Sequence, residues 1–261
     1  MTLSRPFQDR VAAGKALAKA VARRKYADPV VLALPRGGVP VAVEVARALR
    51  APLDLVLVRK IGVPMQPELA AAAVVDGGEP EIVVNEDVVE LSGITRAYID
   101  EQAKIEIKEI ERRRGAYLAG RPRAPLEGRS VIVVDDGIAT GASMRAALKA
   151  LRRKKPKALI LAVPVAPSES IEALRAEVDE VVCLETPDPF YAIGMHYRDF
   201  HQVPDEEVVR LLAEADAARG GSSKPDTSPP HGKTDASDQL NVANRRSGGT
   251  RAAGKASTAR R

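Results

Sequence analysis

Residues 131–143 constrain the fold of this chain more than any other stretch. Val131–Val134 is a run of β-branched residues without polar alternation, which is typical of a strand buried on both faces of a parallel sheet. The run ends in two carboxylates, Asp135 and Asp136, and a loop with two glycines then leads into apolar residues at helical spacing. A strand, a loop and a helix in this order direct backbone N–H groups and a helix dipole at one point, so the segment predicts an anion site.

The acidic pair restricts the kind of anion. Carboxylates beside a bare phosphate site would repel the ligand, but they suit a ligand with hydroxyl groups or a bound cation next to its phosphate. A ribose 5-phosphate meets this requirement, with its phosphate in the loop and its hydroxyls on Asp135 and Asp136. The segment has neither the Walker A lysine nor the glycine spacing of the dinucleotide-binding fingerprint.

Two other interpretations of this segment compete with a ribose-phosphate site. An ordinary strand-to-helix turn capped by Ser143 is the structural alternative. A receiver domain also ends a strand in paired acids, but it requires a phosphoacceptor aspartate at the end of a later strand. The next predicted strand, Ala158–Val163, ends in Pro164-Val165-Ala166, which excludes a receiver.

A second glycine-containing turn follows the first predicted strand. The apolar run Val30–Leu34 leads into Pro35-Arg36-Gly37-Gly38, and Val39–Leu49 is predicted as a helix. Two glycines allow the backbone to approach a ligand closely, and Arg36 adds a fixed positive charge. Alone, this pattern also fits a plain turn with a solvated arginine. Beside the ribose-phosphate segment, it predicts a second part of the same site.

The next segment, Leu53–Val58, is predicted as a further strand that ends in Arg59 and Lys60. The carboxyl ends of parallel strands face the ligand crevice in such folds. Lys60 is therefore predicted to contact the ligand, with Arg59 as its neighbour and a solvated strand end as the alternative.

These segments resemble those of type I phosphoribosyltransferases. Residues 131–143 resemble their phosphoribosyl-pyrophosphate motif, and the chain from about residue 7 to residue 212 resembles a bacterial group of these proteins without an assigned acceptor. Pro35–Pro40, Val58-Arg59-Lys60 and Asp199-Phe200 carry the closer likeness. Two positions depart from the family pattern. Gly137 stands where most members have an aliphatic residue, and Ala139 stands where hypoxanthine-type enzymes have an acid proposed as general base.

The resemblance implies a function and a set of site residues. The function is transfer of a 5-phosphoribosyl group from phosphoribosyl pyrophosphate to a nitrogen acceptor, a nucleobase, with release of pyrophosphate and with Mg²⁺ as cofactor. Asp135 and Asp136 are expected to be catalytic and to hold the Mg²⁺ through water. The remaining expected residues fall into two sets. The ribose-phosphate site adds Gly137, Ile138, Ala139, Thr140, Gly141, Ala142 and Ser143. The pyrophosphate site comprises Pro35, Arg36, Gly37, Gly38 and Lys60. In the family, the loop that corresponds to residues 35–38 often holds a non-proline cis peptide.

The acceptor is expected under a hood, residues 185–203. This segment holds four of the eight aromatic residues in the chain, and a planar heterocycle binds well to such surfaces. The expected acceptor residues are Phe190, Tyr191, Tyr197, Asp199 and Phe200. A small satellite core under the loop is the alternative for the aromatic residues. Because Ala139 removes the loop acid, a proton acceptor must come from the hood or from the insertion 61–128.

That insertion is too long to be structureless. Ala72–Val75 and Glu81–Val84 are predicted as a hairpin, and Thr95–Leu118 as a highly charged helix. Arg112-Arg113-Arg114 lies in its last turns and is interpreted as a solvated face. The other predicted elements are a helix over Arg10–Lys25 capped by Asp9, a helix over Ser168–Ala176 capped by Ser168, a strand over Val181–Leu184 and a helix over Asp205–Ala215.

The predicted architecture is one α/β domain, residues 1–218, with a parallel sheet of about five strands and helices on both faces. Nine Lys/Arg and only three Asp/Glu fall in residues 219–261, where large apolar residues are almost absent. This tail is predicted to be disordered and basic, either passive or in weak electrostatic contact with nucleic acid or an acidic surface. The rest of the chain carries a net charge of −1.

The sequence also bears on location, partners and rival functions. The single cysteine, Cys183, excludes an internal disulfide, and no run is apolar enough to cross a bilayer, so a cytoplasmic protein is expected. The expected partners are phosphoribosyl pyrophosphate, a nitrogen base and, as an option, a second copy of the chain. The main rival is a non-catalytic sensor that binds the same ligand and regulates nucleotide metabolism. Phosphorolysis or hydrolysis of a ribose phosphate is a third alternative.

Overall fold

The computed structural model describes residues 6–76 and 80–220. In chain order the elements are α1 (Arg10–Val21), β1 (Pro29–Ala33), α2 (Gly38–Leu49), β2 (Leu53–Leu55), β3 (Val58–Val63), β4 (Gln66–Val75), β5 (Glu81–Val84), α3 (Glu86–Ser92), α4 (Arg96–Leu118), β6 (Ser130–Val134), α5 (Ala142–Arg153), β7 (Ala158–Val165), α6 (Ser168–Arg175), β8 (Glu180–Glu185) and α7 (Asp205–Gly220), with a 3₁₀ turn at Ile193–His196.

A five-stranded parallel sheet forms the centre of the fold, in the order β2-β1-β6-β7-β8. Strands β1 and β6 are neighbours in register, with Ala33 opposite Val134. The chain winds towards β2 on one side of this pair and towards β8 on the other. The strand order therefore reverses between β1 and β6, and their carboxyl ends form the switch point at which ligands bind in open α/β sheets.

Helices cover both faces of the sheet, as predicted. Val31 and Ala33 face a core with α1, α2 and α7, whereas Val30 and Leu32 face a second core with α5 and α6. The central strands are apolar on both faces because both faces are covered, which explains the absence of polar alternation in their sequences.

The predicted strand Leu53–Val58 is wrong in its extent. The parallel strand β2 ends at Leu55, and β3 begins at Val58 in a separate antiparallel sheet of order β3-β4-β5. Arg59 and Lys60 therefore lie inside β3, opposite Val74 and Ala73, and not at the carboxyl edge of the parallel sheet. The prediction failed because Leu55–Val58 is apolar throughout, so no residue marks the point at which the backbone passes from one sheet to the other.

The rest of the insertion is largely as predicted. Strands β4 and β5 pair antiparallel, with Ala72 opposite Val84, which confirms the hairpin; its connecting residues 77–79 lie outside the described part. Helix α4 begins after Thr95, whose side chain accepts a hydrogen bond from Tyr98 N–H. Helix α3 was not predicted.

Several helix boundaries differ from the predictions. Asp9 caps α1 as predicted, since Oδ1 accepts a 2.7 Å hydrogen bond from Ala12 N–H, but α1 ends at Val21. Ser168 is the first residue of α6 and not its cap, which falls on Pro167. Helix α7 continues to Gly220, so it includes Arg219, where the tail was predicted to begin. The remainder of that tail lies outside the described residues, where its predicted disorder stays a prediction. Within the described part of the chain, no helix is long and apolar enough to cross a membrane.

Candidate active site

The acidic pair lies directly against the glycine turn that follows β1. The two strands end side by side, and Leu34 N–H donates a 2.9 Å hydrogen bond to Val134 O. A Cβ added to Gly37 would overlap the Asp136 carboxylate, and one added to Gly38 would lie 3.1 Å from Asp135 Oδ1. The two glycines therefore allow the turn to pack on the acids. The peptide between Pro35 and Arg36 is cis, as the family resemblance implied.

Asp136 is buried and held on several sides. Arg10 Nε donates a 2.7 Å hydrogen bond to its Oδ2, and the side chains of this ion pair are 9% and 11% exposed. The Tyr197 hydroxyl donates to the backbone carbonyl of Asp136. The backbone N–H of Asp136 donates 2.8 Å to Asp135 Oδ1, so the two acids are also joined to each other.

Burial changes the acidity of both carboxyl groups. It raises the pKa of Asp135, and the neighbouring charge of Asp136 raises it further. Burial also raises the pKa of Asp136, but there the Arg10 guanidinium acts in the opposite direction. The direct contact with Arg10 favours the charged form of Asp136, so the pKa of Asp135 is raised more than that of Asp136.

Arg10 was missed in the sequence analysis. It follows the cap of α1, where no motif marks it, and its partner Asp136 is 126 positions away. Its Nη1 donates a 2.7 Å hydrogen bond to His201 O, and its guanidinium carbon lies 3.9 Å from the centre of the Phe200 ring. The only signal in the sequence was an arginine directly after an aspartate cap, and that pattern is common in helices.

The loop after β6 reaches α5 through Gly141, which has a positive φ of 74° and occupies the cap position. Ser143 lies in the first turn of α5 and not at its cap, so the alternative of a plain turn capped by Ser143 is wrong about the cap. Ile138 N–H donates 3.0 Å to Val165 O, and the Ser170 hydroxyl donates to Ala139 O. The loop is thus tied to β7 and α6, while Ala139 and Thr140 are exposed.

Gly137 is explained by the hood. A Cβ at this position would lie 2.6 Å from Ile193 Cγ2 and 3.1 Å from Val165 Cγ1. The hood therefore provides the aliphatic group that most type I enzymes carry in the loop itself.

The predicted pyrophosphate residues are divided between two places. Arg36 Nη1 lies 3.3 Å from Asp205 Oδ1, which also accepts a 2.8 Å hydrogen bond from the Tyr117 hydroxyl. Lys60 instead lines a cavity of about 400 Å³ between β3 and α5, together with Thr140 and Arg145. Thr140 belongs to the phosphate loop, so Lys60 still borders the predicted ligand site, but from the side of α5.

The five predicted acceptor residues also separate. Tyr197 is buried, with its ring 5.7 Å from that of Phe7 and 5.1 Å from that of Phe200. Tyr197 forms a small satellite core with Ala13 and Val165, against which Phe7 and Phe190 pack, which is the alternative that the sequence left open. Asp199 is exposed and bonded to His201 Nδ1 at 3.0 Å, an interaction that lowers the pKa of Asp199 and raises that of His201.

Phe190 and Tyr191 line a cavity of about 840 Å³ beside the phosphate loop. Ala139 and Thr140 form its loop side, and the start of α6 forms another wall. Among the residues that line it, the charged ones are two acids, Glu169 and Asp188.

Comparison with known proteins assigns the family. The family model described as "Phosphoribosyl transferase domain" matches residues 7–199. The chain belongs to the phosphoribosyl transferase domain family.

Individual relatives agree with this assignment. Two Mycobacterium tuberculosis proteins, from strains CDC 1551 and H37Rv, carry provisional phosphoribosyl transferase names and are 45% identical over 226 residues, or 86% of this chain and 51% of theirs. The chain thus spans about half the length of these curated relatives. A crystal structure of a Thermus thermophilus protein is 45% identical, covers 81% of this chain and 99% of its own, and superposes with a TM-score of 0.71.

The residues of this phosphoribosyl transferase domain fit Mg²⁺ that is bound together with a substrate. Within residues 6–76 and 80–220, no three His, Cys, Asp or Glu side chains cluster as a metal site. Asp135 and Asp136 are two adjacent carboxylates, and Mg²⁺ is commonly held by one or two carboxylates together with substrate phosphates and water. The pair therefore suits an ion that arrives with a phosphorylated substrate.

Proposed function

We propose that this chain transfers a 5-phosphoribosyl group from phosphoribosyl pyrophosphate to a ring nitrogen of a nucleobase and releases pyrophosphate. One observation carries the proposal: the acids Asp135 and Asp136 lie at the switch point of the sheet, between the loop that starts α5 and the Pro35–Gly38 turn. This arrangement suits a ligand with hydroxyl groups flanked by two phosphate groups. Membership of the family supports a transferase over other reactions of ribose phosphates.

The proposed chemistry places developing positive charge beside the acids. As the bond from C1′ to pyrophosphate breaks, the ribose ring becomes cationic and the leaving group gains negative charge. Asp135 and Asp136 bind the ribose hydroxyls and stabilise the cationic ring, while Arg36 stabilises the departing pyrophosphate. Asp135 and Asp136 would hold Mg²⁺ through water, and the ion would supply further neutralisation of the pyrophosphate charge.

Arg36 must exchange partners for this role. Its side chain and that of Asp205 are 32% and 54% exposed, and their 3.3 Å contact is a surface ion pair of low energy. A pyrophosphate with several negative charges competes effectively for this guanidinium. Lys60 is assigned to the phosphate groups from the opposite side, through the cavity that it shares with Thr140.

We place the acceptor in the cavity lined by Phe190 and Tyr191. The aromatic side chains suit a flat heterocycle. Glu169 and Asp188 would repel an acceptor with a carboxylate group but accept hydrogen bonds from ring or exocyclic N–H groups, so a neutral base is favoured. Asp188 also belongs to the hood, one of the two segments, with the insertion 61–128, that could provide a proton acceptor in the absence of a loop acid at Ala139.

The proposal is tested by binding and turnover together. Mg²⁺-phosphoribosyl pyrophosphate should bind the wild-type protein in calorimetry, and a panel of bases should reveal one that releases pyrophosphate. Asp135→Asn with Asp136→Asn should weaken binding, because each lost charge-assisted hydrogen bond is worth about 1.5–3 kcal/mol.

Arg129→Met provides a matched control. Arg129 is paired with Asp28 at 2.7 Å just before β6 begins, at the end of the strand opposite the acids. This variant should bind the ligand as the wild type does. Unchanged affinity in the double aspartate variant would contradict the site. Binding without turnover on any base would support the sensor instead.

A further inference from the structure

We infer that Arg10 is a positioning residue for ribose binding, which holds the Asp136 carboxylate and the hood in one fixed arrangement. The inference rests on the proposed function, because it assigns a role within the same ribose site. It adds a residue outside both loops and outside the hood. Arg10 acts through Asp136 and touches no substrate atom itself.

The guanidinium of Arg10 contacts three partners at once. Nε donates to Asp136 Oδ2 and Nη1 donates to His201 O, each at 2.7 Å, and the guanidinium stacks on the Phe200 ring at 3.9 Å. The planar group is therefore fixed by two perpendicular kinds of contact, hydrogen bonds in its plane and a ring on its face. Its side chain is only 9% exposed, so water does not compete for these bonds.

The ion pair orients one oxygen of Asp136 and leaves the other outside it. Arg10 contacts Oδ2 through a single nitrogen and does not form the two-pronged pair that would occupy both oxygens. Arg10 therefore does not occupy Oδ1, and we assign this oxygen to a ribose hydroxyl. A carboxylate whose rotation is already restricted loses less entropy when it binds that hydroxyl.

The beginning of the described chain joins the hood at more than one point. Phe7 N–H donates to His196 O and Arg198 N–H donates to Phe7 O, both at 2.8 Å, and Asp199 N–H donates to Gln8 O at 3.0 Å. Helix α1 starts immediately after the residues that make these bonds, so the backbone of Arg10 is held in place beside the hood. The hood is in turn bonded to Asp136 through the Tyr197 hydroxyl. Arg10 is thus the side chain that connects helix, acid and hood.

A purely structural role for Arg10 makes a different prediction from a positioning role. Structural loosening would weaken every ligand of the domain. Loss of a positioned Asp136 would weaken ligands that contain ribose and spare pyrophosphate, which binds at the Pro35–Gly38 turn. Because Mg²⁺ would itself bind near Asp136, the two probes are ribose 5-phosphate and pyrophosphate without metal.

The experiment compares calorimetric affinities of both probes in the full chain. Arg10→Met should weaken ribose 5-phosphate binding by about 10- to 100-fold, the effect of one charge-assisted hydrogen bond, and leave the binding of metal-free pyrophosphate unchanged. Arg10→Lys, which keeps the charge but loses the fork, should recover part of the affinity. The control Arg129→Met, whose 2.7 Å pair with Asp28 is remote from the site, should bind both probes normally.

A double-mutant cycle covers the case in which Arg10→Met fails to fold. Arg10→Met combined with Asp136→Asn removes both buried charges, so no uncompensated carboxylate remains. If Arg10 acts through Asp136, this double variant binds ribose 5-phosphate as Asp136→Asn alone does. A double variant that binds ribose 5-phosphate more weakly than Asp136→Asn alone, or equal losses of affinity for both probes, would overturn the inference. A wild-type protein that binds neither probe would overturn the proposed function itself.

Discussion

Gly137 shows how a single residue records a contact that no local pattern reveals. In the sequence it is a departure from the family motif without an evident cause. In the structure, Ile193 of the hood and Val165 of β7 occupy the space that a side chain would need. The glycine and the isoleucine are separated by 56 positions, so neither predicts the other.

Gly137→Ala should destabilise the protein by about 1–3 kcal/mol, because the new methyl group overlaps Ile193 in a packed site. Gly115→Ala is a suitable control, since a Cβ at that helical glycine meets nothing within 4 Å. The control should be neutral or more stable, by about 0.5–1 kcal/mol. Urea denaturation measures both changes.

The same experiment tests the named partner. Ile193→Ala should reduce the cost of Gly137→Ala, so that the double variant is more stable than the sum of the single changes predicts. Gly137→Ala with the stability of Gly115→Ala would contradict the close approach of the hood to the loop.

The site was predictable from sequence where chemistry and local backbone coincide. The paired acids, the two glycine turns and the strands that precede them are contiguous segments, and the structure brings them together at one edge of the sheet. Arg10 and Ile193 were missed because their partners lie far away in the chain. Tyr197 and Phe200 were grouped correctly in space, but whether an aromatic ring faces a ligand or a neighbour depends on packing that composition does not encode.

Helix α4 illustrates the same limit for whole elements. Arg112 and Arg113 bond Glu109 on its surface, as expected of a solvated face. Arg114 does not belong to that face. It donates to Asp54 at 3.0 Å and to Asp76 at 2.9 Å, and its side chain is 11% exposed. One residue of rotation along a helix turns a side chain by about 100°, so three consecutive arginines cannot share one environment.

Arg114→Met should lower the free energy of unfolding by about 3–5 kcal/mol. The substitution leaves two buried carboxylates with weakened partners, and the side chain of Asp76 is fully buried. Arg112→Met, at a side chain that is 64% exposed, should change stability by less than about 0.5 kcal/mol. Urea denaturation distinguishes the two, and similar values for both variants would show that the buried network contributes little.

The ion pairs of Arg114 lie where the chain passes from the parallel sheet to the second sheet, a boundary that the sequence analysis did not predict. Asp54 lies in β2 and Asp76 follows β4, so Arg114 ties the end of the insertion to the parallel sheet. The residues from Leu53 to Leu57 are all buried, first in one sheet and then beside the other, and all of them except Asp54 are apolar. Hydrophobic periodicity reports burial, but it does not report which sheet a buried residue joins.

At the scale of the whole molecule, the parallel architecture was the most predictable property. Apolar runs alternate with helical segments, and this pattern alone restricts the chain to a covered parallel sheet. The resulting order, β2-β1-β6-β7-β8, puts the strand before the acids at the centre. The candidate site could be anticipated because the loop after β6 and the Pro35–Gly38 turn meet at one edge of this sheet.

Charge is distributed unevenly over the chain. The 41 residues after Gly220 contain eight Lys/Arg and three Asp/Glu, whereas residues 1–220 contain 32 of each kind. The net charge of +5 therefore belongs entirely to the segment 221–261. Helix α7, which ends at Gly220, completes the described core through Val208 and Leu212.

Deletion of residues 221–261 should leave the melting temperature unchanged and lower the isoelectric point from its present value of about 9.3 towards neutrality. The physical reason for the first expectation is composition: the segment has too few large apolar residues to bury a surface against the domain. The reason for the second is that removal of a net +5 leaves a neutral chain. Differential scanning calorimetry and isoelectric focusing measure the two effects separately.

A heparin column adds a functional reading, because the full chain should be retained at low salt and released as salt screens its charges, while the truncated chain should pass through. A melting temperature that falls by several degrees on truncation would show instead that the basic segment packs on the domain, and its charges would then have to be counted as part of the folded protein.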